Sequence, residues 1–491
     1  MIRSHRNTLI ALAVVSAMAA VVVTIGFGRS DSAGAFGSVN IVGTNQRPVH
    51  EPITRTLGCA AADPVTDCFQ GLSLDILAGR TGTWGAVAEP DNPLDGFPNP
   101  AARHCDDIDY GYGSFHTKAD AQGEFDKCLQ WYQAYMDFAV SSAAGLLRPD
   151  GTIDPAQTAI VNRFGSTSNA CTFPDPKKGN TTDRSAKCNV LNGLGRALHN
   201  YEDIWSHSNW GDVADPSAPI GLENPVGLGN IAQPAFMAYP GPATVPIPDG
   251  FLSGCDDSIP ALNNCVQAQS GAKRTAHSMV NKDNGTVDPR TCATSEPLTA
   301  RGAIVVDGVT NFQRAITGAC GAARRAWSDL GKALVARYGA TAATTMIRAI
   351  TVDHPLTDCA VSGSAAKAQS PPVGDLPSAR AVTIFVINRT STPLSCATAV
   401  LDGGEWSSYP ADSIAPGATA RWRAESDGFM TGTSGGATFR AGSGSDGFSV
   451  GWNNPYVGSN SSTCAAPSGY TCERTGGVGN DATVTVTFSG P

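Results

Sequence analysis

None of the fourteen cysteines stands in a CxxC pair, which removes zinc-ribbon readings and leaves no paired thiol motif for redox catalysis. Past the first thirty or so residues no run is apolar enough to cross a bilayer. The chain beyond its leader is therefore expected to be soluble. Basic residues are outnumbered, 34 Lys and Arg against 43 Asp and Glu, for a formal charge of −9. That balance argues against nucleic acid as a main partner, since phosphate backbones are bound through basic patches. Histidine is scarce, eight in 491 residues, so positions where histidines gather carry weight.

What is present begins with a leader. Arg3, His5 and Arg6 precede the apolar run Thr8 to Phe27, the charge-then-hydrophobe order of an export signal. Ala33-Gly34-Ala35 offers a cleavage site, and residues 1–35 are read as a signal peptide. Left uncut, a run of roughly 20 residues could instead anchor the chain as a tethered ectodomain. Removal takes away three arginines and one aspartate and makes the mature chain more acidic. An even number of cysteines in an exported chain suggests disulfides. Cys59 with Cys68, Cys255 with Cys265, and Cys464 with Cys472 are neighbours in sequence, and Cys105 with Cys128 and Cys171 with Cys188 are plausible pairs.

A chain of this length exceeds a single core. The clearest boundary is 361–380, VSGSAAKAQSPPVGDLPSAR, where Ser, Ala, Gly and Pro replace any periodic pattern. Residues 36–360 are expected to be mainly helical, with helical spacing over Ala119 to Leu147, Ala186 to Trp210 and Thr299 to Thr351, and with Pro155 opening a short helix to Phe164. Gly211 to Ala272 is dense in Pro and Gly and reads either as a binding loop or as a meander pinned by a disulfide. Residues 381–491 switch to period two, as in AVTIFVIN and ATVTVTF, which predicts an all-β sandwich. Eleven cysteines precede the linker and three follow it. Complete pairing needs a bond across it, for which Cys359 with Cys396 is the candidate.

The chemistry concentrates in LGRALHNYEDIWSHSNWGD, Leu194 to Asp212. His199, Asp203 and His207 recur at steps of four, each advancing about 40°, so they share one flank of a helix. The outer two are separated by a rise of about 12 Å, too far for one ion at a zinc–nitrogen distance of about 2 Å. The spacing favours two adjacent sites with the Asp203 carboxylate between them, as in a pair of ions clamping a phosphate. A helix hydrogen-bond pair is the plainer alternative. Other ligand-type residues lie at His50, at His104-Cys105-Asp106-Asp107-Ile108-Asp109, and at His277 with Asp283.

LHxxEDxWSHSNW after a Gly-Arg pair resembles the core motif of the zinc-dependent phospholipase C and single-strand nuclease superfamily, closest to its secreted Het-C-like and CinY-like branches. The resemblance covers Val39 to Asp353, with motif identity confined to Leu194 to Trp210. It implies an α-helical bundle holding two or three zinc ions that act on a phosphodiester. On it the ligands map to His199, Asp203 and His207, with His50 as the early HxxIT-type histidine and Asp106 or Asp109 as a middle acidic ligand. The late HxxxE pair is matched only by His277 with Asn281 or Asp283, and no N-terminal Trp stands at the cleavage site. Zinc-bound water has its pKa lowered toward roughly 7, and Asp106, Asp107 or Asp109 are the candidate general bases. His104 and His116 are weaker candidates for metal contact.

The segment RWRAESDGFMTGTSGGATFR followed by FSVGWNNPYVGSN resembles the aegerolysin and insecticidal crystal-protein family, over most of Arg380 to Pro491. This implies a lipid-recognising β module. Trp406, Trp422, Trp452 and Tyr456 are candidates for a bilayer interface, against the alternatives of core packing and sugar stacking. Together these readings predict a secreted zinc phosphodiesterase acting on phospholipids. The rivals are a non-enzymatic membrane effector with a structural metal, and a secreted nuclease.

Overall fold

Three helices pack around the residues of interest in the N-terminal half. The computed structural model describes residues 46–491 except 60, 62–66, 81–83, 93–100, 159, 161–170, 177–182, 184, 243, 258–263, 354, 356–378, 427–430 and 442–446. The leader, its cleavage position, Cys359 and most of the expected linker lie outside the described residues. No helix among those described is long and apolar enough to cross a membrane.

Lys118–Ser142 opens on a capping box, the Thr117 hydroxyl accepting from the Asp120 N–H while the Asp120 carboxylate accepts from Thr117, so two orphan amides are satisfied together. Phe125, Leu129, Tyr132 and Met136 recur on its buried face. Asn311–Tyr338 starts where the Thr310 side chain accepts from the Gln313 amide. Against both lies the central helix Ala186–His207, capped by Ser185, and all 22 of its residues are buried. A helix buried all round is ordinarily apolar. This one brings Lys187, Arg196, His199, Glu202, Asp203 and His207 inside, and buried charge requires partners. Lys187 Nζ donates to the Val352 carbonyl at 2.6 Å and Arg196 Nη2 to that of Phe173 at 2.9 Å. The acidic and imidazole groups lie largely against one another.

The helical expectation needs one correction. Thr299 to Thr351 is not continuous: Val305–Val306 and Val309–Thr310 form a short hairpin ahead of the helix. Its turn is Asp307-Gly308, both at positive φ, the Asp-Gly pair that two-residue hairpins favour. At the far end Gly339, φ +81°, separates Asn311–Tyr338 from Ala340–Thr351. The Pro- and Gly-rich stretch after the central helix is a meander. Asn209 organises it, donating from Nδ2 to the carbonyls of Val226 (2.8 Å) and Gly250 (2.7 Å) and accepting from the Leu252 amide (2.9 Å).

The C-terminal domain is built of two five-stranded sheets. One runs in the order Ser461–Ala465, Phe448–Asn454, Thr433–Ala441, Leu394–Gly403, Ser413–Ile414; the other Thr471–Gly476, Asp481–Ser489, Ala381–Arg389, Thr419–Glu425, Glu405–Ser408. Asp481–Ser489 pairs in parallel with Ala381–Arg389, and the remaining pairings are antiparallel. Alternate residues of both sheets enter one core, distinct from that of the helices, which Cys59 of the N-terminal half also joins.

Within it the expectation for the tryptophans is corrected. Trp406 and Trp422 are fully buried and Trp452 is 4% exposed. Their rings fill the space between sheets, so they are core residues and not membrane anchors. Tyr456 is half-buried, with the Arg380 guanidinium carbon 5.3 Å from its ring centroid.

Disulfides join Cys59–Cys68, Cys105–Cys128, Cys171–Cys188, Cys255–Cys265, Cys292–Cys320 and Cys464–Cys472. The five neighbouring pairs expected from the sequence are all present, and Cys292–Cys320 adds one that spacing did not suggest. Cys396 is disulfide-bonded as well. Such a framework fits an oxidising, extracellular compartment.

Candidate metal centre

His199 sets the geometry. Its Nδ1 lies 2.8 Å from the Val87 carbonyl oxygen, which can only accept, so Nδ1 carries the proton and Nε2 presents a lone pair. This contact requires the chain at 86–87 to lie against the helix, and Gly195 permits it. A Cβ at 195 would stand 2.5 Å from the Ala86 carbonyl carbon. Hence the Gly-Arg pair ahead of the motif has a structural cause.

The His199 lone pair faces Asp203 Oδ2 at 3.1 Å and His104 Nδ1 at 3.0 Å, and His104 Nδ1 is 2.9 Å from the same Asp203 oxygen. These three edges form a nearly equilateral triangle. Ligand atoms about 2.0 Å from a tetrahedral ion stand about 3.3 Å apart, close to the observed edges. A proton on His104 serves one acceptor at a time, whereas a cation serves all three donors. Asp91 Oδ1 approaches His199 Nε2 at 3.6 Å, and His50 stacks on His199 with centroids 4.1 Å apart. His50, Asp91 and His199 form a second possible donor group.

A third group lies one helical turn on. His207 Nδ1 is 3.2 Å from Asp106 Oδ1, and His277 Nδ1 is 3.3 Å from that same oxygen. Asp203 stands between the groups: its Oδ1 is 3.3 Å from His50 Nε2 and 3.5 Å from His207 Nε2, while its Oδ2 serves His104 and His199. Asp203 Oδ1 and both His207 nitrogens are buried and form no hydrogen bond among the described residues. Uncompensated polar atoms in a dry interior are costly. Imidazole and carboxylate donors so placed suit a divalent ion such as zinc.

The electrostatics point the same way. Burial pushes His50 well below its usual range, assisted by His199 and His207, and lowers His207 to about 3, assisted by His277. Burial raises Asp203 well above the usual carboxylate range, with Asp91 and Asp106 adding to it against His104. Glu202 is raised likewise, and lies 2.6 Å from His50 Nδ1 while accepting from the Thr54 hydroxyl at 3.0 Å. Burial thus disfavours both charges of the Glu202–His50 pair. It orients His50 from behind, as carboxylates behind metal-binding imidazoles do.

His277 behaves differently. Burial would lower it, but Asp106 and then Asp283 outweigh this and hold it well above 6.5. Metal entering the Asp106–His207–His277 group at neutral pH must therefore displace one proton, from His277 and not from His207. Apparent affinity at this group should rise about tenfold per pH unit up to the raised His277 value and then level off. Competition with a chromophoric chelator across pH checks this. A slope of zero between pH 5 and 7 would remove the argument.

Some expected site residues lie elsewhere. Asp283 is 3.3 Å from His277 Nε2, the nitrogen turned away from Asp106, so it stands behind a donor and belongs to none of the three groups. Asp107 and Asp109 receive the Arg274 guanidinium, Nη2 at 2.8 Å from Asp107 Oδ1 and Nε at 3.0 Å from Asp109 Oδ1. His116 lies beside them, its Nδ1 2.8 Å from the Asp109 carbonyl. Of the three acids at 106–109, Asp106 alone joins a donor group. Three contributors were missed or underrated by sequence: His104, Asp91 and Glu202. His104 had a signal in its neighbouring acids. Asp91 had none, and Glu202 is legible only once the helix is known to be buried on every side.

Exposure is slight and uneven. Side-chain exposure is 15% at Asp91, 7% at Asp106 and 6% at His104, against 1% or less at His50, His199, Asp203 and His207. Disulfides adjoin the same ligands. Cys105 sits between His104 and Asp106 and is joined to Cys128, and the Cys255 carbonyl accepts from the His277 amide at 2.7 Å.

No family model matches the chain, and no curated protein matches it. Among solved structures, IP-1A from Alcaligenes faecalis is 18% identical, covering 23% of this chain and 91% of its own, with a TM-score of 0.20. The lipid binding protein Nakanori is 16% identical, covering 22% of this chain and 71% of its own, with a TM-score of 0.21. TM-scores this low carry no argument about function.

Proposed function

We propose that this chain is a secreted zinc-dependent phosphodiester hydrolase acting on phospholipids, with the C-terminal β domain bringing it to the membrane. The observation that carries the reading is Asp203, one carboxylate whose two oxygens face two separate sets of imidazoles. Zinc held by His104, His199 and Asp203, and by Asp106, His207 and His277, would polarise a phosphoryl oxygen and supply hydroxide near neutral pH. The chain's own residues do the rest. Val87 and Glu202 fix the His199 and His50 rings. Burial of the helix excludes bulk water from the inner donors, which strengthens electrostatic interactions there. Asp91, the most exposed donor with a side chain 15% exposed, is the carboxylate of the centre nearest to solvent.

The test is release of phosphorylated head groups from phospholipid vesicles by the full chain, with zinc, with chelator, and with His199→Ala. Hydrolysis that needs both zinc and His199 supports the proposal. Vesicle binding with no hydrolysis supports a second reading, a non-enzymatic effector in which the metal braces the helices. The near-complete burial of His50, His199, Asp203 and His207 favours that alternative. Hydrolysis of single-stranded nucleic acid and not of lipid would support a nuclease, against the acidic balance of the chain.

Membrane contact passes from the buried tryptophans to other side chains. Val457 and Val478 are 80% and 83% exposed, and their loops are tied by Asn460 Nδ2 donating to the Gly479 carbonyl at 2.8 Å. Val457→Asp combined with Val478→Asp is expected to weaken vesicle sedimentation of the full chain about tenfold or more, given the loss of two apolar side chains. Trp422→Phe is expected to cost roughly 1–2 kcal/mol of stability and leave sedimentation unchanged. The reverse pattern would restore the tryptophans as anchors.

A further inference from the structure

We infer that Arg274, acting with Asp107 and Asp109, is a positioning clamp that holds Asp106 and His277 in register for the metal group they form with His207. The inference rests on the reading that this group takes a metal. Of its three donors, only His207 comes from a rigid element, the last residue of the central helix. His277 begins a helix of four residues, and Asp106 lies in an irregular segment. The two are 171 residues apart in sequence. Something other than regular secondary structure must hold them together.

Cys105 and Asp107, on either side of Asp106, both have positive φ, 54° and 65°, a conformation that few residues adopt without compensation. Consecutive carboxylates therefore diverge, Asp106 toward His207 and His277, Asp107 toward Arg274. Arg274 stands three residues before His277. Its Nη2 donates to Asp107 and Asp109, and its Nε lies 3.0 and 3.2 Å from the two Asp109 oxygens. One planar fork thus engages the carboxylates at one and three residues beyond Asp106, fixing that segment in angle as well as distance. A lysine, a point charge on a flexible stem, cannot do so. The Arg274 side chain is 4% exposed and that of Asp109 fully buried, so neither charge has water as a substitute.

The backbone between them keeps the spacing. The Gly254 carbonyl accepts from the Asp107 amide at 2.9 Å, and the neighbouring Cys255 carbonyl accepts from the His277 amide at 2.7 Å. Gly254 lies so close that a Cβ there would be 2.3 Å from the His277 Cα. The same two segments are thus joined twice, by a shared strip of backbone and by a guanidinium. Arg274 donates to neither Asp106 nor His277 and acts through their neighbours.

The experiment measures bound zinc per chain, and the visible absorption of the cobalt-loaded protein, for the full chain and its Arg274→Ala, Arg274→Lys and Asp107→Asn variants. Arg274→Ala is expected to hold one ion fewer than the parent and to lose the cobalt bands of that site. Free ethylguanidinium should restore both, which relief of a general folding defect would not do. Arg274→Lys should lose the same ion. Asp107→Asn, at a 15% exposed side chain, should fold normally and weaken the last-bound ion about tenfold, as loss of outer-shell support does. Parent-like stoichiometry and affinity in Arg274→Ala and Arg274→Lys would overturn the clamp alone. Should Arg274→Ala and Arg274→Lys fail to fold, unchanged affinity in Asp107→Asn overturns it. A parent chain that binds no metal overturns the reading beneath.

Discussion

Asp203→Ala should abolish lipid hydrolysis, by a factor on the order of 10³ or more, and lower the zinc bound per chain by at least one ion. The size follows from what a catalytic ion contributes, several kcal/mol of charge stabilisation, at 1.36 kcal/mol per tenfold in rate. Alanine removes the Oδ2 that completes the triangle with His104 and His199, and also the Oδ1 that faces His50 and His207. Asp203 is a carboxylate that lies within 3.5 Å of His104 and His199 on one side and of His50 and His207 on the other. The metal-free proteins supply the control. Burial raises the Asp203 carboxyl far above its ordinary range, so without metal this group is no asset to the fold. In chelator the variant should melt within about 2 °C of the parent, the shift expected for roughly 1 kcal/mol in a helical domain of about 300 residues. Zinc analysis, a vesicle hydrolysis assay and calorimetry decide the matter. Full zinc stoichiometry in the variant would sink Asp203 as a ligand.

Stripping the metal from the parent chain is the second large effect. A ligand present at about a thousandfold its dissociation constant stabilises by about 4 kcal/mol, or about 6 °C for a helical domain of roughly 300 residues at about 2.1 cal/mol/K of unfolding entropy per residue. The centre lies in the core built by the helices, which meets the β domain through Cys59, through the Gly71 amide donating to the Tyr409 hydroxyl at 3.1 Å and through the Arg348–Asp412 ion pair at 3.0 Å. Calorimetry with and without chelator should show the unfolding transition that contains the helices move down. If it does not move, the imidazoles are a hydrogen-bonded core and hold no ion.

Much of this was readable from the residues because helical spacing is rigid. Steps of four place His199, Asp203 and His207 on one flank, and a rise of about 12 Å over eight residues puts the outer two in different donor groups. The expectation that Asp203 serves both as ligand is corrected, since it groups with His104 and His199 while His207 groups with Asp106 and His277. The period-two stretches likewise marked the β domain, since alternation is what a half-buried strand requires. What spacing could not supply is which irregular segments come to meet the helix. His104, Asp91 and His277 arrive from loops held by disulfides and side-chain contacts, and nothing local in AVAEPD announces Asp91. The acids at 106–109 show the same limit. Positive φ on both sides of Asp106 turns adjacent carboxylates in different directions, and the backbone dihedrals that do this are not legible in the letters. The tryptophans failed for a different reason. An aromatic ring suits a bilayer interface and the space between two sheets equally well, and its sequence neighbours do not distinguish them.

The cystines beside the ligands impose an order of events. Cys105 separates His104 from Asp106, and Cys255 holds the amide of His277. While the chain is reduced, the central helix can offer His199, Asp203 and His207, but the loops that complete each set have no covalent hold on it. Cation uptake is then expected to be weaker in the reduced chain than in the oxidised one, which zinc affinity measured with and without reductant checks. Maturation of the centre would then belong to the compartment that forms the disulfides, and a chain still on the reducing side would have in place only the three donors of the helix.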